Sequence, residues 1–358
     1  MRELAPQSKD GDYKRPTYSF QHKIGDPEFP AENDRYVLYL GNPCPWCHRV
    51  ALALALRGLT DNIIVIRAID DPERASRGGW VFNSPEPAFQ ARDLREVYDA
   101  CTADSGGYKG RCTAPLLIDK KTRRIVCNES AALVRNFNEI FFLSTGRGKG
   151  GGGGGIREKS VREESWIDLC PEHLKADIDA LNEKIYEPIN NGVYKSGFAT
   201  TQDAYDTAQH ALWSTLEELN TLLGSRRFLT GEYFTEADLR LFPTAVRFDA
   251  VYSVVFKCSA RRWSDFPNLH AWLIDCAALP LPINADGSGG GTLADTVDVD
   301  DCRRSYYTQL FPLNPGGIVA SGPTAVQLGL QGGQQQRQSI ENRGSRLPPQ
   351  VYHRKPGL

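Results

Sequence analysis

The run Asn42-Pro43-Cys44-Pro45-Trp46-Cys47-His48-Arg49 sets two thiols three residues apart, where a stretch that reads as a strand gives way to one that reads as a helix. Pro45 suits the first helical position, where its missing N–H removes nothing the helix would use. That leaves Cys44 at the helix N-terminus, facing unpaired backbone N–H groups and the positive end of the helix dipole. Both favour thiolate over thiol, and cysteines so placed titrate between about 3.5 and 7.5 instead of near 8.5. Arg49 and His48 add positive potential if they face inward. The chemistry this predicts is nucleophilic attack by a Cys44 thiolate on sulfur.

Three plainer readings compete. The pair could be inert core thiols, but the end of a strand opening into a helix is an unusual place for them. A zinc site needs a second pair of ligands at suitable spacing, which Cys101, Cys112 and Cys127 do not form. Cys44-Pro-Trp-Cys47-His48 also fits the c-type haem attachment pattern, yet that chemistry requires export and the first residues carry no export signal.

Two further segments suit an extended γ-glutamyl tripeptide. Thr113-Ala114-Pro115 opens a strand, and a cis proline there would let the preceding backbone pair with a cysteinyl peptide; an ordinary trans proline at a strand start is the alternative. Asn128-Glu129-Ser130 opens a helix, whose N–H groups and Ser130 hydroxyl suit a carboxylate, with Glu129 available to an ammonium. A plain helix cap at Asn128 explains the same residues.

The elements that position these groups are legible as periodicity. Residues 36–40, 63–69, 115–119 and 123–127 read as strands, and 45–59, 93–100 and 128–141 as helices, with a loop around Gly78, Gly79 and Trp80. This β-α-β, α, β-β-α order is an α/β thioredoxin-like arrangement. Helical spacing dominates 160–279, for example at 204–223 and 236–248, which predicts an all-α C-terminal domain. The expected organisation is an arm over 1–34 laid on the surface, a thioredoxin-like domain over 35–143 and a Gly-rich linker or insertion over 144–159. An all-helical domain over 160–323 follows, interrupted by a Gly-rich insertion at 285–301, and then a tail over 324–358 expected to be disordered.

The chain has 358 residues, 41% hydrophobic and 24% charged, with a net charge of −2. That balance is a globular one, and it gives no electrostatic reason to expect nucleic acid or a membrane surface. The longest aliphatic stretch falls far short of the roughly 20 residues that cross a bilayer. Nine scattered cysteines predict reduced thiols, hence a cytoplasmic protein, with an organellar stroma as the alternative.

The stretches NPCPWCHR, RGGWVF, TAPLLIDKKTRRIVCNESA, IYEPINNGVYKSGFATTQDAY, TEADLRLFPTAVRFDAVYSVVFKC and NPGGIV resemble the glutathionyl-hydroquinone reductases, the xi class of glutathione transferases, which are related to the omega class. The likeness covers roughly residues 35–323 apart from the two Gly-rich insertions. It implies the two-domain glutathione transferase architecture, glutathione as co-substrate without metal or nucleotide, aromatic hydroquinone conjugates as partners and a homodimer. It implies roles as well: Cys44 as nucleophile, and Trp80, Ala114, Pro115, Glu129 and Ser130 as glutathione contacts. Tyr194 and one of Tyr306 and Tyr307 match catalytic tyrosines, and Tyr252 a further residue of the hydroquinone pocket. Members of the family commonly carry alanine where this chain has Cys47, which makes Cys47 a candidate resolving thiol. Two other functions stay open at this point: an omega-like thioltransferase or dehydroascorbate reductase using the same cysteine, and a non-catalytic interaction module of the same fold.

Overall fold

β1 (Tyr36–Gly41) is buried at all six positions, as a central strand covered on both faces must be, and its Tyr, Val and Leu side chains suit that place. The structure is a computed structural model that describes residues 6–15, 18–71, 79–142, 166–283, 289–310, 313–330 and 350–354. β2 (Ile64–Asp70) runs parallel to β1 with Val37 opposite Ile64. On the other side β4 (Leu116–Asp119) pairs antiparallel, Leu38 opposite Leu117, and β5 (Arg124–Cys127) continues the sheet. The order is β3-β2-β1-β4-β5. Here β3 is Trp80–Val81, a two-residue edge strand that pairs Asp70 with Trp80. From sequence this segment reads as a loop, because two residues carry no periodicity.

α1 (Pro45–Leu56) follows β1, and ten of its twelve residues are buried. It is apolar nearly all round because it is covered from two sides, by α3 (Ser130–Glu139) and by α7 (Glu236–Arg247). α2 (Leu94–Cys101) is capped by the Asp93 carboxylate, which accepts from the Glu96 N–H. After the short strand β6 (Trp166–Ile167) the fold is helical: α4 (Lys175–Ile185), α5 (Gly192–Phe198), α6 (Gln202–Leu222) and, beyond β7 (Tyr233–Phe234), α7. Then come α8 (Ser253–Val255), α9 (Pro267–Ala277) and α10 (Val299–Gln309). Two stretches, Tyr186–Asn190 and Phe248–Tyr252, are wound as π turns, a form frequent near functional sites. They lead into α5 and α8.

Three expectations need correcting. The arm over 1–34 is not merely laid on the surface. Tyr13, Ile24 and Phe29 are buried in the core, Ile24 exchanges hydrogen bonds of 2.9 Å with the Asn136 amide, and the His22 N–H donates to the Val126 carbonyl. The insertion at 285–301 is structured in its described part: Leu293–Thr296 form a helical turn and α10 starts at Val299. The described part of the tail is ordered too. Leu328 and Leu330 are buried, while β8 (Gln350–Val351) pairs with β7 and β9 (His353–Arg354) with β6. The expected Gly-rich linker at 144–159 lies outside the described residues. No helix among the described residues is long and apolar enough to cross a membrane.

Candidate active site

Cys44 is the N-cap of α1, in extended backbone conformation, and its Sγ accepts from the Cys47 N–H at 3.4 Å. Burial works against ionising this sulfur. It is outweighed by the Cys47 thiol and N–H, the charge of Arg247 and the Trp46 N–H, so the Cys44 thiol sits below the ordinary cysteine range. Cys47, fully buried, has the opposite fate. Burial and the hydrogen bond to Cys44 hold its thiol well above the ordinary value, while its sulfur accepts from the Gly41 N–H at 3.2 Å. Of this pair, Cys44 is the one that ionises.

Arg247, the last residue of α7 and 2% exposed, ties the two halves of the site together. Its Nε donates to the Pro43 carbonyl at 2.9 Å, one residue ahead of Cys44, and its Nη1 reaches Pro243 O at 2.9 Å and His48 Nδ1 at 3.0 Å. A guanidinium only donates, so His48 Nδ1 must be the unprotonated nitrogen. Nε2–H then donates to Thr296 Oγ1 at 2.8 Å, whose own hydroxyl goes to Leu293 O. Burial, Arg247 and Arg67 push His48 well below its usual value, so it is neutral and adds no charge to the thiolate. The expected help from Arg49 is also modest, since this guanidinium lies 4.6 Å over the Trp46 ring and donates to Asn190.

Cys44 opens into a cavity of about 480 Å³. Of the residues expected at the site, Cys44, Trp80, Ala114, Tyr194 and Tyr306 are on its wall. The Ala114–Pro115 bond is cis, and the Ala114 carbonyl faces Cys44 Sγ at 3.8 Å. Trp80 packs against Gly41, where an added Cβ would fall 2.3 Å from the ring. The helix opening at 128–130 is built differently from expectation. Glu129, not Asn128, caps α3, its carboxylate accepting from Ala131 N at 3.0 Å and Ala132 N at 2.7 Å. Asn128 is on the cavity wall instead, its amide donating to the Tyr98 hydroxyl. Pro115, Glu129 and Ser130, also expected at the site, are not on the cavity wall, although Pro115 and Glu129 each follow a residue that is.

The far wall is aromatic. Tyr194 of α5 and Tyr306 of α10 meet through their hydroxyls at 2.6 Å. Burial holds both well above the ordinary phenol value, so both keep their protons at neutral pH. One hydroxyl donates to the other, which leaves one proton free for a bound molecule. Tyr252 stands directly behind them, edge-on to Tyr306 at 5.7 Å. Burial pushes its hydroxyl up to about 12, against the opposing effect of Arg247 and of the Tyr306 and Tyr194 hydroxyls beside it. Tyr307 is not part of this group. It is about 100° further round α10, outside the cavity wall, and its carbonyl accepts from Asn314. Phe256 packs against Tyr194 at 5.1 Å and Tyr252 at 5.3 Å. Gly197 makes room for it, since a Cβ there would fall 2.3 Å from the Phe256 ring.

The sequence reading missed Arg247 and Thr296, and it missed the contribution of the arm, whose Tyr13, Arg15 and Tyr18 line the cavity. It also missed Asp70, on the same wall, whose carboxyl accepts from Ser305 and is raised by burial. Cys112 lines the cavity as well, but burial pushes it up to about 11 and keeps it a thiol. Among the described residues, no three His, Cys, Asp or Glu side chains converge as metal ligands.

Comparison with known proteins agrees with this geometry. Residues 43–140 match the family model for the glutathione S-transferase N-terminal domain, and residues 202–274 the one for its C-terminal domain. The glutathionyl-hydroquinone reductase YqjG of Escherichia coli is 36% identical over 88% of this chain and 90% of its own length. Its glutathione-bound structure superposes with a TM-score of 0.66, covering 88% of this chain and 91% of that one. The glutathionyl-hydroquinone reductase PcpF of Sphingobium chlorophenolicum is 37% identical over 85% of this chain and 88% of its own. A xi glutathione transferase from Phanerochaete chrysosporium has a TM-score of 0.72 at 34% identity, over 88% of this chain and 94% of that one.

Proposed function

Because the chain belongs to the glutathionyl-hydroquinone reductases, the xi class of glutathione transferases, we propose that it reduces glutathionyl-hydroquinones to hydroquinones with glutathione as reductant and that Cys44 carries the glutathionyl group between the two half-reactions. The observation that carries this reading is the Cys44 sulfur, its thiol held below the ordinary cysteine range, sharing one cavity with the hydrogen-bonded hydroxyls of Tyr194 and Tyr306.

In the first half-reaction the aromatic ring takes a proton on the carbon that bears sulfur while a ring hydroxyl gives its proton up, giving the keto tautomer. Cys44 Sγ attacks the glutathionyl sulfur, the carbon–sulfur bond breaks, and its electron pair passes to the ring oxygen as an enolate, which is the phenolate of the product. Tyr194 and Tyr306 supply the hydrogen bond that stabilises this oxygen and the proton that it takes, a contribution of about 10²–10⁴ in rate. In the second half-reaction a glutathione thiolate attacks the Cys44–glutathione disulfide, releasing glutathione disulfide and the Cys44 thiolate. Trp80, Ala114 and the opening of α3 at Glu129 and Ser130 are the groups proposed to hold glutathione. Cys47 is kept protonated by burial, which makes it a poor attacking group and favours resolution by glutathione over resolution by Cys47.

Replacing Cys44 with serine should abolish reduction of a glutathionyl-hydroquinone while leaving the folded protein intact by circular dichroism. Retained turnover would remove the mechanism.

A further inference from the structure

Arg15 belongs to the N-terminal arm, yet its side chain enters the cavity. Its Nε donates to Asn191 Oδ1 at 2.8 Å. The guanidinium carbon lies 4.2 Å from the ring centre of Trp46 and 5.0 Å from that of Tyr194. The Tyr18 side chain takes a further hydrogen bond from the guanidinium. Nη2 is shut off from solvent and has no partner among the described residues. The carboxylates nearby are committed elsewhere, Glu187 to Lys195 at 3.0 Å and Asp12 to Lys14 at 3.1 Å.

A partly buried cation whose hydrogen-bond partners, Asn191 and Tyr18, are both neutral is expensive unless a bound anion completes it. The planar fork of a guanidinium matches a carboxylate, which can take two parallel hydrogen bonds from it. Its location decides which carboxylate. Arg15 stands against Trp46 and Tyr194, the tyrosine proposed to serve the hydroquinone oxygen, whereas Trp80 and Ala114 of the same cavity are proposed for glutathione. We infer that Arg15 is the anion-recognising residue of the acceptor half of the cavity, and that the hydroquinone ring this protein works on carries a carboxylate seated on that guanidinium. This names the substrate class within the reductase reading and rests on it.

The test compares paired ligands that differ only in charge. With the unaltered full chain, dihydroxybenzoate should compete against a glutathionyl-hydroquinone at least about tenfold more tightly than dihydroxybenzamide, the low end for a hydrogen bond to a charged group. In turnover, a glutathionyl conjugate of dihydroxybenzoate should be preferred over its uncharged counterpart. Arg15→Gln should lower kcat/KM for both, but reduce their ratio about tenfold or more, and Arg15→Lys should keep part of the preference. Equal inhibition by the two ligands would overturn the inference even if no Arg15 variant folds. So would equal losses on both conjugates with a raised KM for glutathione, which would assign Arg15 to the tripeptide. Failure of the reductase reading is separate: it shows as turnover that survives Cys44→Ser, whatever the ligand preference.

Discussion

Cys47→Ala isolates what lowers the Cys44 pKa. The thiol of Cys47 is the largest favourable contribution to the Cys44 thiolate, ahead of the backbone N–H groups and of Arg247. Alanine removes that donor but keeps the Cys47 N–H, the position of Cys44 at the N-terminus of α1, and Arg247. A hydrogen bond to a charged group is worth about 1.5–3 kcal/mol, and a thiol is a weak donor, so the low end applies. Roughly 1.4 kcal/mol corresponds to about one pKa unit. The Cys44 pKa should therefore rise by about one unit, and at pH values below it the thiolate fraction should drop up to about tenfold. The Gly41 N–H also loses its sulfur acceptor, which should cost about 1 kcal/mol of stability. The assay is the pH dependence of Cys44 alkylation by iodoacetamide, with Cys44→Ser as the background control. A midpoint that stays in place or moves down would refute the electrostatic account of the pair. Turnover should persist in Cys47→Ala above the new midpoint, and loss of turnover at every pH would make Cys47 an obligatory resolving thiol.

Three other substitutions probe the surroundings. Arg247→Met strips donors from Pro43 O, Pro243 O and His48 Nδ1 at once, so urea unfolding should show a loss of about 3 kcal/mol or more, given about 1–3 kcal/mol per orphaned buried group; a loss under about 1 kcal/mol would contradict that contact set. Tyr306→Phe should lower kcat for a glutathionyl-hydroquinone about 10²-fold or more, while Tyr307→Phe, on the neighbouring residue outside the cavity, should change kcat less than about threefold; similar losses in both would reject the assignment of the free proton to the Tyr194–Tyr306 pair. Gly41→Ala pushes a methyl group into the Trp80 ring, an overpacking cost of about 1–3 kcal/mol, and calorimetric titration should show weaker glutathione binding; unchanged affinity would mean that Trp80 does not hold the tripeptide.

How much of this was readable from sequence depends on whether a residue works through its neighbours in the chain or across the fold. The β1-α1-β2 unit announces itself because a doubly covered strand is a continuous apolar run and Pro45 marks where the helix starts, so the placement of Cys44 follows from local rules. Tyr194 could be placed only through a resemblance, since an aromatic residue on a helix is ordinarily core. Arg247 was invisible: its partner Pro43 lies 204 residues away, and no spacing in the chain encodes that meeting. Thr296 was hidden for a related reason, as the Gly- and Asp-rich surroundings read as soft while its hydroxyl receives the His48 hydrogen bond. Glu129 shows a local rule giving the wrong residue. Asn128 has the better cap propensity, but its amide is taken by Tyr98, and the cap passes to the next side chain. Tyr306 and Tyr307 are adjacent in sequence, so only the rotation of α10 separates them.

The central claim is that Cys44 takes the glutathionyl group from carbon. Mixing the protein with one equivalent of a glutathionyl-hydroquinone in the absence of free glutathione, quenching in acid and mapping the peptides by mass spectrometry tests it directly. The account predicts one glutathionyl group on the peptide containing Cys44, formed in step with release of one hydroquinone. Hydroquinone released without that adduct, or the adduct found on a different cysteine, would contradict it.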